Sequence, residues 1–180
     1  MRLFVAIPLA SGIVDELASL CARLRPQAGE LRWSTPETWH ITLVFLGEST
    51  MEQYRCIAAG LGQLQCPALP IHLEEPGIFE RAGVFHVGIG LNPTLLSLQQ
   101  GVQTAAQTCG FRVEARRYQP HITLARTRNP LSLRKLQALP QIRPAFSSFV
   151  AHEFRIYESF LGPAGARHEI RDRFPLGGQA

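Results

Sequence analysis

His40-Ile41-Thr42-Leu43 recurs, letter for letter, as His121-Ile122-Thr123-Leu124, 81 residues further along the chain. In an extended strand, side chains alternate between faces, so His and Thr two apart share one side while Ile and Leu share the other. Each copy therefore offers an imidazole and a hydroxyl to one face and two apolar side chains to a core. Six histidines and nine threonines in 180 residues predict by chance only about 0.3 His-x-Thr pairs. Two pairs with all four letters in common point to a repeat.

The flanks extend the parallel. Trp39-His40-Ile41-Thr42-Leu43-Val44-Phe45-Leu46-Gly47 is an apolar strand run that reaches a glycine, and Tyr118-Gln119-Pro120-His121-Ile122-Thr123-Leu124-Ala125-Arg126 has Pro120 where a strand tolerates a missing N–H. Working outward, residues 2–7 read as a strand. Ser11 reads as the N-cap of a helix carrying Ile13, Val14, Leu17, Leu20, Cys21 and Leu24 at helical spacing, stopped by Arg25-Pro26. A short extended piece at 31–33 and a turn at 35–37 lead into the first motif strand, 39–46. A second helix is expected over 51–64, an extended segment broken by Pro76-Gly77 over 71–79, and a strand over 84–91. A third helix is expected over 93–109, ended by Gly110. After the second motif strand, 129–139 reads as a short helix, 146–160 as one long extended stretch, and 162–174 as a turn and returning strand that close a hairpin.

Strand, helix, strand, helix, strand thus occurs twice, with the motif on the middle strand each time. The expected fold is α+β: two pseudo-symmetric lobes from a duplicated βαβαβ unit, mainly antiparallel strands around a central cleft, helices outside. Residues 1–180 read as one bilobal domain, with repeat halves of roughly 1–80 and 81–176.

Composition excludes several classes. An apolar fraction of 46% with 18% charged residues is that of a folded globular chain. No apolar run is long enough to span a bilayer, and Pro8 interrupts the first apolar stretch, so the N-terminus reads as a strand and not as a signal peptide. Cys21, Cys56, Cys66 and Cys109 contain no C-x-x-C spacing and read as free thiols of a cytoplasmic protein. A net charge of +4, with Arg greatly outnumbering Lys, is compatible with a phosphate-bearing partner.

Two imidazoles facing one another suit in-line phosphoryl chemistry. One takes a proton from the nucleophile and the other gives one to the leaving oxygen, both near neutral pH. The hydroxyls of Thr42 and Thr123 can donate to non-bridging phosphate oxygens. Since the motifs are identical, the residues alone do not say which His is donor. A metal centre on His40 and His121 lacks a third ligand, and no cofactor or metal is expected.

The paired motifs, the opening Arg2-Leu3-Phe4-Val5-Ala6-Ile7, Phe45-Leu46-Gly47-Glu48 and the Pro-His-Ile-Thr-Leu-Ala-Arg run from Pro120 resemble the 2H phosphoesterase superfamily, over nearly the whole chain. Within it the sequence is most similar to the RNA 2′,3′-cyclic phosphodiesterases, also called 2′-5′ RNA ligases. The resemblance implies two lobes and a cleft lined by both motifs. It implies hydrolysis of RNA 2′,3′-cyclic phosphate ends, or of cyclic nucleotides, to a 2′-phosphate, with His40 as proton donor and His121 as proton acceptor. A monomer is expected. Arg126 matches the family's phosphate-contacting arginine, with Arg128 as the alternative. Strict alternation puts Arg126 on the wrong face, so a bulge or strand end is expected near Ala125. Phe4 either lines the cleft floor or packs in the core. His86 stands where relatives often carry Trp, and His168 where they often carry Tyr; both are expected to line the cleft. Trp33 and Trp39 either stack on a base or, as is commoner for such rings, are buried, and His72 and His152 read as surface or strand-edge residues. ATP-independent 2′-5′ ligation at the same site and a non-catalytic RNA-end-binding module are the competing functions.

Overall fold

The computed structural model describes residues 1–28, 30–113, 116–129, 132–133, 136, 145–162 and 165–177. Among them the order is β1 (Arg2–Pro8), α1 (Ser11–Leu24), β2 (Arg32–Trp33), β3 (His40–Glu48), α2 (Met51–Leu61), β4 (Leu69–Ile71), β5 (Leu73–Phe79), β6 (Val84–Ile89), α3 (Pro93–Thr108), β7 (His121–Arg126), β8 (Phe149–Ala151), β9 (Glu153–Gly162) and β10 (Gly165–Pro175). The helix expected over 129–139 falls on residues of which only 129, 132, 133 and 136 are described, and the turn at 163–164 lies outside the described residues.

The fold is α+β and, as expected, antiparallel throughout the described strand pairs. One sheet runs β10-β9-β1-β3 and a second β2-β7-β6-β5, with β4 and β8 forming a small third pair. The sheets do not divide where the sequence halves do. β2, from the first half, pairs with β7, while β9 and β10, from the chain's end, extend the sheet of β1. Each exchange covers an open strand edge whose backbone groups would otherwise go unpaired.

Several boundaries differ from the sequence expectation for local reasons. The N-cap of α1 is Ala10, so Ser11 is the first helical residue and no side chain caps the helix. α2 ends at Leu61 and not at 64. It begins with a capping box, in which Gln53 N–H donates to Thr50 and the Gln53 side chain accepts from Thr50 N–H. α3 starts with Asn92 Oδ1 accepting from Leu95 N–H at 2.8 Å, and Gly110, at φ +79°, closes it as expected. The extended stretches at 71–79 and 146–160 are each resolved into two strands, the second divided at His152, whose carbonyl accepts from Leu176.

The thiol expectation is corrected: Cys56 and Cys109 form a disulfide, with Cα atoms 5.7 Å apart, while Cys21 and Cys66 are free. Their separation of 53 residues gave no local signal. They meet because α2 lies against α3, where Gly60 approaches Ala105 closely, and Cys109 is the residue that caps α3.

One apolar core runs between helices and sheets. Leu3, Val5 and Ile7 of β1, Ile41 and Leu43 of β3, and Ile122 and Leu124 of β7 point into it, against Leu17 and Leu20 of α1, Ile57 of α2 and Val102 of α3. Phe4, Ala6 and Tyr157 form a separate buried cluster on the other face of β1 and β9. That second face carries the site. No helix among the described residues is long and apolar enough to cross a membrane.

Candidate active site

The alternation of each motif is as its sequence dictates. Ile41, Leu43, Ile122 and Leu124 are buried, and His40, Thr42, His121 and Thr123 are half-buried on the opposite face. The motif strands approach one another directly, and the Tyr118 hydroxyl, in the segment leading into β7, donates to the Thr42 carbonyl at 3.0 Å.

Both imidazoles are oriented in the same way. His40 Nδ1–H donates to the carbonyl of Thr38, and His121 Nδ1–H to that of Gln119, each two residues back and each at 2.8 Å. A carbonyl only accepts, so the proton sits on Nδ1 and Nε2 is left as the base, or, once protonated, as the acid.

Each strand then breaks its own alternation at the same place. Along β3, Thr42 lies opposite Ala6 but Val44 opposite Val5, so Leu43 is an extra residue. Along β7, Thr123 lies opposite His86 but Ala125 opposite Phe85, so Leu124 is extra. A bulge turns the following side chains over. Val44 and Ala125 are consequently buried, and Phe45 and Arg126, each five residues after its histidine, emerge on the histidine face. The bulge expected near Ala125 is thus present one residue earlier, and the positive charge of Arg126 acts on both His40 and His121. Arg128 is exposed beyond the end of β7. Phe45 is 56% exposed, unusual for a ring beside a buried cluster. The sequence reading passed over it, although its offset from His40 equals that of Arg126 from His121.

The floor is aromatic. Phe4 is buried, with its ring centroid 4.7 Å from His40, 5.2 Å from Tyr157 and 6.1 Å from Phe45. His168 and His86, both expected to line a cleft, lie beside the motif histidines: His168 is 5.4 Å from His40 and His86 is 5.4 Å from His121. Phe79, passed over in the sequence, stacks on His86 at 4.0 Å and meets His121 edge-on. Trp39 is buried in the main core. Trp33 packs edge-on against Phe85 and donates to the Ala28 carbonyl, away from the motif face. His72 and His152 are exposed, His72 hydrogen-bonding to Ser148.

Burial and like charge together disfavour protonation of these rings. His40 is pushed down to about 4, chiefly by burial and then by His168, with His121 and Arg126 adding smaller effects against the opposing pull of the Thr38 carbonyl. His121 is lowered by burial, with Arg126 and Arg116 contributing. His86 is pushed to about 4 by burial and by His121, and His168 is lowered by burial. These effects favour neutral imidazoles on this face, and an anion beside them favours their charged forms. Among the described residues, no group of three His, Cys, Asp or Glu side chains could hold a metal ion.

This geometry has counterparts among known proteins. The sequence profile of the 2′-5′ RNA ligase superfamily matches residues 13–159. The chain is 30% identical over 128 residues to the RNA 2′,3′-cyclic phosphodiesterase of Bacillus subtilis, covering 68% of this chain and 69% of that one. It is 28% identical to the protein of the same name from Escherichia coli, over 97% of this chain and 96% of that one. The crystal structure of E. coli LigT complexed with 3′-AMP superimposes with a TM-score of 0.85 at 28% identity, over 97% of each chain.

Proposed function

The chain belongs to the 2′-5′ RNA ligase superfamily, and from that membership and the geometry of the motif face we propose that it hydrolyses RNA 2′,3′-cyclic phosphate ends to 2′-phosphomonoesters without a metal. The observation that carries the proposal is the matched orientation of His40 and His121. Each is locked by an Nδ1–H bond to the carbonyl two residues back, leaving Nε2 for proton transfer.

The cyclic phosphate lies between the two rings. His121 Nε2 takes a proton from water, the water oxygen bonds to phosphorus, and the 3′-oxygen departs with the proton of His40 Nε2–H. The 2′-ester remains, and the two histidines exchange their protons with solvent to reset. The donor and acceptor roles follow the family likeness. Because burial and its neighbours hold His40 down to about 4, it takes its proton as the phosphate anion arrives, whose charge offsets the burial that disfavours imidazolium. Thr42, Thr123 and Arg126 hold the non-bridging oxygens, Arg126 by charge-assisted hydrogen bonds. Phe45 stands at the position that mirrors Arg126 and offers an exposed ring face to the nucleobase. A relative with 3′-AMP bound supports a nucleotide-sized ligand.

The test is incubation of the purified protein with 2′,3′-cyclic mononucleotides and cyclic-phosphate-ended oligonucleotides in excess EDTA, with 2′- and 3′-phosphate products resolved chromatographically. Turnover to the 2′-phosphate, undiminished by chelator, is expected. Activity lost in EDTA and restored by a divalent ion would overturn the two-histidine mechanism.

A further inference from the structure

The site holds four histidines, and the proposed reaction uses two. The others are arranged with a symmetry that the sequence repeat does not explain. On one side His40, His168 and Phe4 form a trio, with Phe4 centroid distances of 4.7 Å to His40 and 4.9 Å to His168. On the other, His121, His86 and Phe79 form a second, with Phe79 centroid distances of 5.0 Å to His121 and 4.0 Å to His86. The second histidine lies 5.4 Å from the first in both. Yet His86 sits on β6, the strand next to β7, whereas His168 sits on β10, three places from β3 in its sheet. The same juxtaposition is reached from non-equivalent strands.

The two kinds of ring differ in one respect. Nδ1 of His40 and of His121 has a carbonyl partner. Nδ1 of His86 and Nδ1 of His168 are buried without a hydrogen-bond partner among the described residues. An imidazolium carries N–H on both nitrogens, so charging His86 or His168 would place a proton on a buried Nδ1 that makes no hydrogen bond, a cost set against the opposing pull of the Val87 and Arg167 backbone towards the charged form, whereas charging His40 or His121 adds its proton at Nε2. His86 is also confined to a slot. It stacks on Phe79 and lies over Gly77, where an added Cβ would come within 3.0 Å of its Cε1. Buried polar atoms without partners are rare enough to require a reason.

We propose that His168 and His86 are positioning residues that stay neutral through the reaction, His168 fixing the ring of His40 and His86 that of His121, so that one imidazole in each pair carries the proton. The charged or titratable groups that act on these rings are His168, His121 and Arg126 upon His40, His121 upon His86, and Arg126 and Arg116 upon His121, so that within each pair one charge opposes a second. Tyr157, beside Phe4, is raised above its ordinary value by burial and remains protonated.

The proposal rests on the reading of the site given above, but its first test needs no turnover. Ring-labelled histidines of the full chain are titrated by NMR with inorganic phosphate saturating the site. His40 and His121 are expected to take up protons at higher pH than without phosphate, while His86 and His168 remain neutral. A proton on either of the latter overturns the proposal, whatever the substrate. The second test is kinetic. His168→Phe and His86→Phe keep a neutral ring and should retain kcat within about three-fold with an unchanged pH profile. The alanine variants should lose roughly ten- to a hundred-fold in kcat with KM little changed, as expected for a misplaced catalytic group, and shift one limb of the pH profile. Phenylalanine variants as impaired as alanine would make these rings proton carriers, and unimpaired alanine variants would make them bystanders. Either result refutes the proposal. Far-UV circular dichroism establishes that each variant is folded.

Discussion

Acidification should destabilise this protein through His40, and the size of the effect follows from the structure. The ring's ordinary value of 6.5 falls to about 4 in the fold. As pH drops through 6.5 the unfolded chain takes up the proton and the folded one does not, so stability is lost from there down to about 4, below which the loss levels off. A displacement of that size at about 1.36 kcal/mol per pH unit amounts to about 3 kcal/mol by pH 4. That is a large part of the 5–15 kcal/mol typical of a folded domain. His40→Gln removes the titrating ring and leaves His86, His121 and His168 in both proteins, so the comparison reads the share of His40 together with its coupling to His168 and His121. Urea denaturation at pH 7.0, 5.5 and 4.0 should show wild type losing about 3 kcal/mol more than His40→Gln across that range. Equal losses in the two proteins would mean that His40 is not held neutral by burial, and the reasoning about its proton affinity would fail.

Three further outcomes are expected. On a cyclic nucleotide the rate should be bell-shaped in pH, and His40→Ala or His121→Ala should each lower kcat by roughly 10²–10⁴-fold. The double variant should lose far less than the product of the two, because the pair acts as a unit; one dispensable histidine in a folded protein would rule out the paired mechanism. Arg126→Ala should weaken binding of the cyclic phosphate by about 1.5–3 kcal/mol, measured by calorimetry with a slowly turned-over analogue. An unaltered Arg126→Ala beside an impaired Arg128→Ala would show that the wrong arginine has been assigned to the phosphate. Opening the Cys56–Cys109 bridge, which closes a loop of 53 residues, should lower stability by up to about 4 kcal/mol on the chain-entropy account. Urea melts of the Cys56→Ser and Cys109→Ser variants, or of wild type with and without dithiothreitol, measure this, and coincident curves would show that the bridge does not constrain the chain.

The sequence by itself determined the motif strands and their chemistry. Period-two alternation in His-Ile-Thr-Leu commits Ile41 and Ile122 to a core and the imidazoles to the opposite face, whatever the rest of the fold does, because the pleat leaves no other arrangement. It also determined the three helices, whose apolar spacing is local. The bulge ahead of Arg126 was expected only by setting that alternation against the family likeness, since a side chain five residues from His121 cannot otherwise share its face. Other features depended on contacts between residues distant in the chain, which local patterns do not encode. The exchange of β2 and of β9–β10 between sheets depends on which strand edges lie open once the layers have packed. The Cys56–Cys109 bridge depends on α2 meeting the end of α3. Phe45 is exposed because Leu43 is an extra residue against β1, a register that only pairing defines. The two motifs are chemically identical in sequence. What surrounds each one, Phe4 and His168 on one side and Phe79 and His86 on the other, was decided by tertiary structure alone, because proton affinity in a buried site is set by neighbours brought together from separate strands.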